Sequence, residues 1–411
     1  MVRESFWINK KIGDVAELRK GVFDPKINES KVYVGLEHIE QNSGKLLGVG
    51  RSEDTTSVKA CFEPGDILFG KLRPYLRKFW LADISGVCVT EILPIMAKEC
   101  INNKFLFYLL QQNNFIDYLD QKSYGTKMPR TSWKEISEYS IQLPPANEQQ
   151  KIAEILSSVD EAIEKTEMII KQTETVKKGL MQQLLTKGIG HTEFKETEIG
   201  KIPMDWAIQC VAELTLEHKQ GYYTKEKYVV NKTGTRLIRI TDLKNPTILY
   251  DDMPHLNIDD HTYQQFKVEQ NDFLFARSGA SIGRYGIVEE NDPKAIFASY
   301  LIRFRFNPKL ILNRYFGYFY ESEACWKQIK SIIQGSSNPN INANNIKSLK
   351  IAVPTIEEQV KIINVLESTD SKIGIEKKKL IKLRNLKQSL MGYLLTGKVR
   401  VNIDQLEEVL S

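Results

Sequence analysis

The sequence contains the residue types that catalyse reactions, but not at the spacings that catalysis requires. No G-x-x-x-x-G-K-[ST] phosphate loop occurs, so ATP-driven motor work is not expected of this chain. Gly48-Val-Gly50 lacks the third glycine of a dinucleotide-binding loop and is better interpreted as a turn. Glu193-Phe-Lys195 matches the E-x-K end of a nuclease site, yet no acidic partner lies on a nearby predicted strand. We therefore predict no catalytic residues and no cofactor bound by this chain.

Histidine and cysteine, the usual ligands of structural metals, do not occur at metal-binding spacings. The 5 histidines have neither that spacing nor a partner cysteine. The 5 cysteines are scattered, odd in number and never form C-x-x-C. This pattern argues against a zinc site and against a disulfide framework, and it favours the reducing cytoplasm. We predict no metal site and a cytoplasmic protein.

The remaining candidate functional residues lie in four loops that are rich in basic, aromatic and amide side chains. Residues 70–78 and 276–286 each follow an apolar strand, and residues 123–130 and 334–342 lie further along the chain. Arginine and lysine recognise guanine edges and asparagine recognises adenine, while glycine lets the backbone approach a phosphate. The candidate DNA-binding residues are Lys71, Arg73, Tyr75, Arg77, Lys78, Lys127, Arg130, Arg277, Ser278, Ser281, Arg284, Ser336, Ser337, Asn338 and Asn340. A single loop of this kind could be a solvated connection, but matching pairs favour DNA binding.

A long internal repeat must position these loops. Pro144 matches Pro354, an offset of 210 residues (354 − 144), and the same offset carries residues 148–184 onto 358–394 without a gap. A proline before the start and a glycine after the end of each copy suit the two ends of a helix. Each copy is therefore predicted to be one long helix.

Apolar residues recur inside each copy with alternating spacings of four and three, which is the pattern of a coiled-coil seam. The predicted seam consists of Ile152, Leu156, Val159, Ile163, Leu180 and Leu184 in the first copy and of Ile362, Leu366, Ile373, Leu380, Leu390 and Leu394 in the second. Polar seam members such as Lys177 and Lys387 would fix the register at some cost in stability. The alternative is an amphipathic helix that lies on its own domain, but two copies with one shared seam favour pairing.

The segments that precede the two helices repeat more faintly and mix short β-rich runs with helical stretches. Gly65-Asp-Ile-Leu-Phe69 echoes Asn271-Asp-Phe-Leu-Phe275, and both are typical of apolar strands opened by a turn. We predict an α+β fold class with two repeated α/β globules. The predicted segments are residues 1–143 (first globule), 144–188 (first long helix), 189–353 (a linker and the second globule, which itself begins at about 199), 354–396 (second long helix) and 397–411 (C-terminal tail).

The composition narrows the class of protein. Hydrophobic residues make up 42% and charged residues 27%, as in folded globular proteins, and 411 residues exceed one ordinary core. No apolar run approaches the ~18 residues of a membrane span, and Met1-Val-Arg-Glu-Ser-Phe-Trp7 has no apolar signal region. We expect neither membrane insertion nor export. The net charge of +5 permits a polyanionic partner without requiring one.

With its full-length repeat, long helices and paired loops, the chain resembles the specificity subunits of type I restriction-modification enzymes. Gly179-Leu-Met-Gln-Gln-Leu-Leu-Thr-Lys-Gly-Ile-Gly-His191, continuing through Thr197-Glu-Ile-Gly-Lys-Ile-Pro-Met-Asp-Trp206, is similar to the family's junction between its first long helix and its second recognition domain. Leu143-Pro-Pro with Glu148-Gln149, and Leu394-Leu-Thr-Gly-Lys-Val-Arg400, are similar to its helix-start and closing sequences. The resemblance covers essentially the whole chain.

The resemblance implies an architecture and a function. The globules would be target-recognition domains separated by the two long helices, which would form an antiparallel coiled coil. Each domain would read one half of a split, asymmetric site on double-stranded DNA, and the helices would set the spacing. Two modification subunits would dock on the chain, bind S-adenosylmethionine and methylate adenine, and a restriction/translocase subunit that uses ATP and Mg²⁺ would join them. The loops at 70–78 and 277–286 differ in kind, which suggests two different half-sites.

Three other classes of function agree less well with the sequence. A fused methyltransferase or nuclease would need a catalytic domain for which this chain has no space. A coiled-coil scaffold whose globules bind protein would not be retained on DNA. A stand-alone DNA-binding repressor is disfavoured, because no segment has the compact helix-turn-helix pattern and the two globules do not look like a symmetric dimer.

Overall fold

The computed structural model describes residues 7–27, 29–123, 128–224, 233–290, 292–333 and 340–401. The chain divides into two compact units. Unit 1 comprises Met1–Met168 with Lys378–Ser411, and unit 2 comprises Ile169–Lys377. Each unit therefore contains one globule together with a part of each long helix.

The globule of unit 1 is built from short strands and helices. Its strands are β1 (Ile8–Lys11), β2 (Ala16–Leu18), β3 (Val22–Phe23), β4 (Val32–Val34), β5 (Gly50–Arg51), β6 (Lys59–Phe62), β7 (Ile67–Gly70), β8 (Phe79–Leu81), β9 (Gly86–Cys88), β10 (Ile92–Ala97) and β11 (Ser140–Leu143). Its helices are α1 (Ile12–Val15), α2 (Asn103–Leu109), α3 (Asn113–Lys122) and α4 (Trp133–Glu138), and the first long helix, α5 (Ala146–Lys187), follows.

The globule of unit 2 is built in the same way. Its strands are β12 (Phe194–Thr197), β13 (Gly200–Pro203), β14 (Ala207–Cys210), β15 (Thr215–Gln220), β16 (Thr235–Ile238), β17 (Leu243–Lys244), β18 (Thr247–Ile248), β19 (His255–Leu256), β20 (Phe273–Ala276), β21 (Tyr285–Ile287), β22 (Ala295–Phe297), β23 (Leu301–Phe306) and β24 (Lys350–Val353). Its helices are α6 (Val211–Leu214), α7 (Asp260–Phe266), α8 (Asn313–Glu321), α9 (Glu323–Ile333) and α10 (Ala343–Lys347), and the second long helix is α11 (Ile356–Leu394).

The main sheets of the two globules share one strand order although the globule sequences agree poorly. The main sheet has the order β2-β10-β7-β8 in unit 1 and β15-β23-β20-β21 in unit 2, with antiparallel neighbours throughout. A second sheet contains one parallel pair in each globule, β4 with β9 and β16 with β22. The predicted repeat of two α/β globules is confirmed, and it extends to topology that the sequence comparison barely detected.

Strand β7 of unit 1 and strand β20 of unit 2, which occupy matching places in the main sheets, each begin at a tight turn. Gly65 (φ 91) and Asn271 (φ 67) take left-handed conformations, which glycine adopts freely and asparagine tolerates. The next residue, Asp66 or Asp272, is 1% exposed, and its carboxylate accepts a hydrogen bond of 2.8 Å from the backbone N–H three residues earlier. The turn therefore fixes where β7 and β20 begin, and so where the loops at their far ends are placed.

Each core joins the main sheet of a globule to both long helices. In unit 1 the buried cluster includes Phe69 of β7, Phe105 of α2, Leu156 of α5 and Leu394 of α11. The matching cluster of unit 2 includes Phe275, Phe316, Leu366 and Leu184. Burying a side chain of this size contributes about 1.5–3 kcal/mol. The start of one long helix and the end of the other are thus parts of the same core.

The predicted seam lies inside the helix pair. Nine of its residues are at most 8% exposed: Ile152, Leu156, Val159, Ile163, Leu184, Ile362, Leu366, Ile373 and Leu394. Leu180, Leu380 and Leu390 are half-buried. The apolar pattern therefore correctly predicted which residues are buried between the paired helices. The alternative, in which each helix lies alone on its own domain, is wrong.

Ion pairs between the helices give their direction. In unit 1, Lys387 meets Asp160 at 2.7 Å and Arg384 meets Glu167 at 2.8 Å. In unit 2, Lys177 meets Asp370 and Lys377 meets Glu174, both at 2.7 Å. Residue numbers fall along one helix as they rise along the other, so the helices pair antiparallel within each unit. The expected antiparallel coiled coil is confirmed.

No helix in the described part of the chain combines the length and the apolar character that a membrane crossing requires. Over the same residues, His, Cys, Asp and Glu side chains form no group of three or more that could hold a metal ion.

Candidate nucleic-acid interface

Two loops that the sequence singled out separately form one edge of unit 1. The backbone N–H of Arg73 donates to Pro129 O (2.7 Å), and the N–H of Thr131 donates to Lys71 O (3.0 Å). An isolated bridge pairs Leu72 with Arg130 between these bonds. We call this surface, residues 70–78 with 128–131, edge 1. Lys127 lies outside the described residues.

The chain turns sharply within edge 1. Arg73 (φ 52) and Arg77 (φ 51) are both left-handed and flank the short helical turn Pro74–Leu76. Such conformations cost an L-residue roughly 1–2 kcal/mol each. They raise Tyr75, which is 47% exposed, at the tip of the loop. Strained backbone that presents an exposed aromatic side chain is typical of a binding loop.

Three basic side chains of edge 1 make internal contacts. The Lys78 ammonium donates to the carbonyl oxygens of Leu36 (2.5 Å) and Ile39 (2.8 Å). Arg77 donates to Asn113 Oδ1 at 2.8 Å and to a backbone carbonyl at 3.3 Å. Arg130 forms an ion pair with Glu91, which lies just before strand β10, at 3.2 Å. Lys78 therefore makes structural contacts that its charge alone did not reveal, and its binding to DNA stays a prediction.

Unit 2 presents the same construction, which we call edge 2 (residues 276–284 with 340–342). The N–H of Ile341 donates to Arg277 O (2.8 Å), and a bridge pairs Ser278 with Asn340. The Arg277 guanidinium donates to Asn340 Oδ1 through Nε (3.3 Å). Ser281 and Arg284 lie on the same loop, with Ser281 half-buried and Arg284 exposed. Ser336, Ser337 and Asn338 lie outside the described residues.

Sequence reasoning missed one residue at each edge. The N–H of Lys71 donates to Glu91 O (2.9 Å), and the N–H of Arg277 donates to Tyr300 O (3.1 Å), so these two acceptors occupy equivalent places. Glu91 is the carboxylate that pairs with Arg130, whereas Tyr300 is 60% exposed. Both come from connections before β10 and β23, about twenty residues away in sequence, and no local pattern marked them. Because Glu91 is a paired carboxylate and Tyr300 an exposed aromatic side chain, the two edges differ chemically.

A glutamate anchors the start of each long helix, fully buried in unit 1 and half-buried in unit 2. Glu148 is 0% exposed and accepts from Trp7 Nε1 (3.0 Å) and from Arg400 Nε and Nη2 (2.8 Å each). Burial favours the neutral form of Glu148, but the hydrogen bonds from Arg400 and Trp7 outweigh it and lower the pKa of this carboxyl. Glu358 accepts from Trp206 Nε1 (2.9 Å) and contacts His191 Nε2 (2.8 Å). These anchors hold the helices against the globules that carry the edges.

Known proteins match the chain over about half to nearly all of its length. The model of the type I restriction modification DNA specificity domain matches twice, over residues 4–175 and 203–385. The chain is 30% identical to the type I restriction enzyme MjaVIII specificity subunit of Methanocaldococcus jannaschii, over 96% of this chain and 93% of that protein. It is 29% identical over 207 residues to the EcoDI specificity subunit of Escherichia coli, which covers 49% of this chain and 43% of that protein.

Two solved structures have the same fold. A chain from a study of complex assembly and conformational transition of the type I R-M system superposes with a TM-score of 0.61 at 18% identity, over 96% of this chain and 98% of that one. The S subunit of a type I restriction-modification system from M. genitalium gives 0.57 at 16% identity, over 96% and 97%. The doubled domain and its long helices therefore form a recurrent architecture.

Proposed function

The chain belongs to the type I restriction-modification DNA specificity family, and we propose that each of its two units reads one half of a bipartite, asymmetric DNA site. The observation that carries the proposal is the repetition of one edge, built from equivalent loops, in two units whose loop side chains differ. A bipartite site needs two readers, and an asymmetric site needs two unlike readers. The family assignment favours this function over a protein-binding scaffold or a stand-alone repressor.

The side chains at each edge suit different base contacts. At edge 1, Lys71, Arg73 and Tyr75 lie on the loop that bridges to Arg130, whose guanidinium pairs with Glu91. A carboxylate can accept from a cytosine amino group, and a guanidinium can donate to guanine. At edge 2, Arg277, Ser278, Ser281, Arg284 and Asn340 combine guanidinium, hydroxyl and amide groups, and asparagine matches adenine best. The two half-sites should therefore differ in base composition.

The paired helices are proposed to set the unread gap between the half-sites. Inserting four residues lengthens a helix by about 6 Å, close to two base pairs of B-DNA. Because the helices are antiparallel, insertions after Thr173 and after Ile373 together preserve the pairing between them. A coiled coil absorbs a four-residue insertion by local unwinding. We expect unchanged half-sites with a gap that is one or two base pairs longer, as read by sequencing of methylated sites.

The chemistry of the reaction is assigned to partner subunits in the cytoplasm. Two modification subunits would bind S-adenosylmethionine and methylate adenine, and a restriction/translocase subunit with ATP and Mg²⁺ would cleave unmodified DNA. This chain would contribute recognition and no catalytic group. The support is that the matched relatives are named specificity subunits and that one matched structure belongs to a study of complex assembly.

Reconstitution tests the proposed function. The purified chain is incubated with DNA and labelled S-adenosylmethionine, with and without modification subunits encoded in the same genome. We expect no methyl transfer by the chain alone, and transfer to one bipartite motif by the complex. Methyl transfer by the chain alone, or methylation by the complex without a bipartite motif, would contradict the proposal.

A further inference from the structure

One glutamine crosslinks the start of helix α5 to its own globule. Gln149 is 2% exposed. Its Nε2 donates to the carbonyl oxygens of Pro144 (2.9 Å) and Cys100 (3.2 Å), and its Oε1 accepts from the backbone N–H of Asn102 (2.8 Å). A single side chain thus ties the first turn of α5 to the end of β11 and to the loop that leads into α2.

The same arrangement occurs in unit 2. Gln359 is 0% exposed, donates to the carbonyl oxygens of Leu310 (2.9 Å) and Pro354 (3.1 Å), and accepts from the N–H of Leu312 (2.8 Å). Each partner lies 210 residues after its counterpart in unit 1. All the partners are backbone atoms, so the crosslink does not depend on the side chains of the globule. It can persist while the sequence of a globule changes.

A tyrosine provides a second attachment of each globule to the same helix. The Tyr108 hydroxyl donates to Asp160 Oδ2 (2.8 Å), and the Tyr318 hydroxyl donates to Asp370 Oδ2 (2.9 Å). Asp160 lies 11 residues beyond Gln149 on α5, and Asp370 lies 11 beyond the glutamine of α11. That separation is about 16 Å along a helix. Two attachment points this far apart fix the angle of a globule on its helix as well as its position.

We propose that Gln149 and Gln359 are positioning residues for site-specific methylation, each holding its recognition domain at a fixed angle on its long helix and thereby restricting the complex to one spacer length. This inference rests on the proposed function above. One extra base pair between the half-sites moves a half-site by about 3.4 Å and turns it by about 34°. A domain that is held at two points cannot follow this rotation without breaking buried hydrogen bonds, and an unsatisfied buried polar group is costly.

Apolar substitution of the glutamines tests this role. Gln149→Met and Gln359→Met remove the hydrogen bonds and retain a side chain of similar length. Each variant is assembled with the modification subunits and offered a DNA library in which both half-sites are separated by the native spacer or by spacers one to three base pairs shorter or longer. The half-site bases should stay the same. Methylation of sites whose spacer is one base pair longer or shorter than the native one should rise roughly tenfold relative to wild type. A tenfold rise corresponds to a loss of about 1.4 kcal/mol in the preference for the native spacer.

Control and milder variants make the outcome decisive. Gln172→Met, at an exposed position of α5, should keep a single spacer length. Tyr108→Phe and Tyr318→Phe each remove one hydroxyl, and should relax spacing in the same direction by a smaller factor if the methionine variants do not fold. A single spacer length in the folded glutamine and tyrosine variants would overturn the positioning role. Absence of bipartite methylation by the wild-type complex would instead overturn the proposed function.

Discussion

Units 1 and 2 share a scaffold and differ at their edges. The strand order of the main sheet, the backbone crosslink by glutamine and the tyrosine–aspartate contact occur in both. Glu91 lies next to edge 1 and pairs with its Arg130, whereas exposed Tyr300 lies next to edge 2, which contains the Arg277–Asn340 hydrogen bond. The shared contacts use backbone atoms and helix residues, while the differences lie in loop side chains. A recognition surface can therefore change without any change to the parts that position it.

The largest expected difference between the units concerns the tryptophan beside each anchoring glutamate. Trp206 is 1% exposed, whereas Trp7 is half-buried. Trp206→Ala should cost about 3–5 kcal/mol of unfolding free energy, the range for a fully buried aromatic side chain. Trp7→Ala should cost about half as much, because less surface is lost. Urea denaturation of both variants measures this. Equal costs would mean that the two anchors are equivalent.

The second prediction concerns the response of the unit 1 anchor to acid. The pKa of Glu148 lies below its usual value of 4.5, because hydrogen bonds from Arg400 and Trp7 outweigh the effect of burial. A lowered folded-state pKa gives stability that is complete above about pH 4.5 and is lost as the pH falls through the folded-state value. Glu148→Gln should therefore cost about 2 kcal/mol at pH 7, since Arg400 is partly solvated.

The pH series separates this effect from general acid unfolding. The difference in unfolding free energy between wild type and Glu148→Gln should shrink as the pH is lowered below 4.5. A difference that stayed constant between pH 7 and pH 3 would show that the charge of Glu148 does not stabilise the anchor.

The smallest effect separates the two seam lysines. Lys177 meets Asp370 (2.7 Å) and Glu321 (3.5 Å), whereas Lys387 meets Asp160 alone among the ion pairs of the described residues. Removing Lys177 leaves two carboxylates facing each other. Lys177→Met should therefore destabilise the protein by about 1 kcal/mol more than Lys387→Met, a small value because these pairs are partly exposed. The matched variants are compared by thermal melting, and the reverse order would contradict the assignment.

The sequence predicted the long helices well because their information is local and periodic. Ile152 and Ile362 occupy matching positions in the two copies of an unbroken heptad pattern. This pattern can be recognised in the sequence without knowing how the globules are folded. It did not predict that each compact unit contains parts of both helices. That division follows from antiparallel pairing between residues such as Asp160 and Lys387, which are far apart in the chain and share no local pattern.

The candidate site was harder to predict because residue type does not reveal a side chain's partner. Lys78 was grouped with its basic neighbours, yet its ammonium binds two carbonyl oxygens. Glu91 and Tyr300 reach the edges through strand connections that the loop pattern does not contain. Gln149 is part of the helix-start sequence that carries the resemblance, but only the fold shows that its side chain is buried against backbone atoms of the globule.

Mapping of methylated adenines tests most directly whether each unit reads its own half-site. Arg73→Ala alters edge 1 and Arg277→Ala alters edge 2, while Arg51→Ala removes an exposed arginine of unit 1 that pairs with Glu53 at 3.2 Å. A lost base contact costs about 1–3 kcal/mol and relaxes the sequence at the position it reads. We predict that Arg73→Ala relaxes bases in one half-site only, that Arg277→Ala relaxes bases in the other only, and that Arg51→Ala changes neither. Equal relaxation of both half-sites by either edge variant would contradict the account.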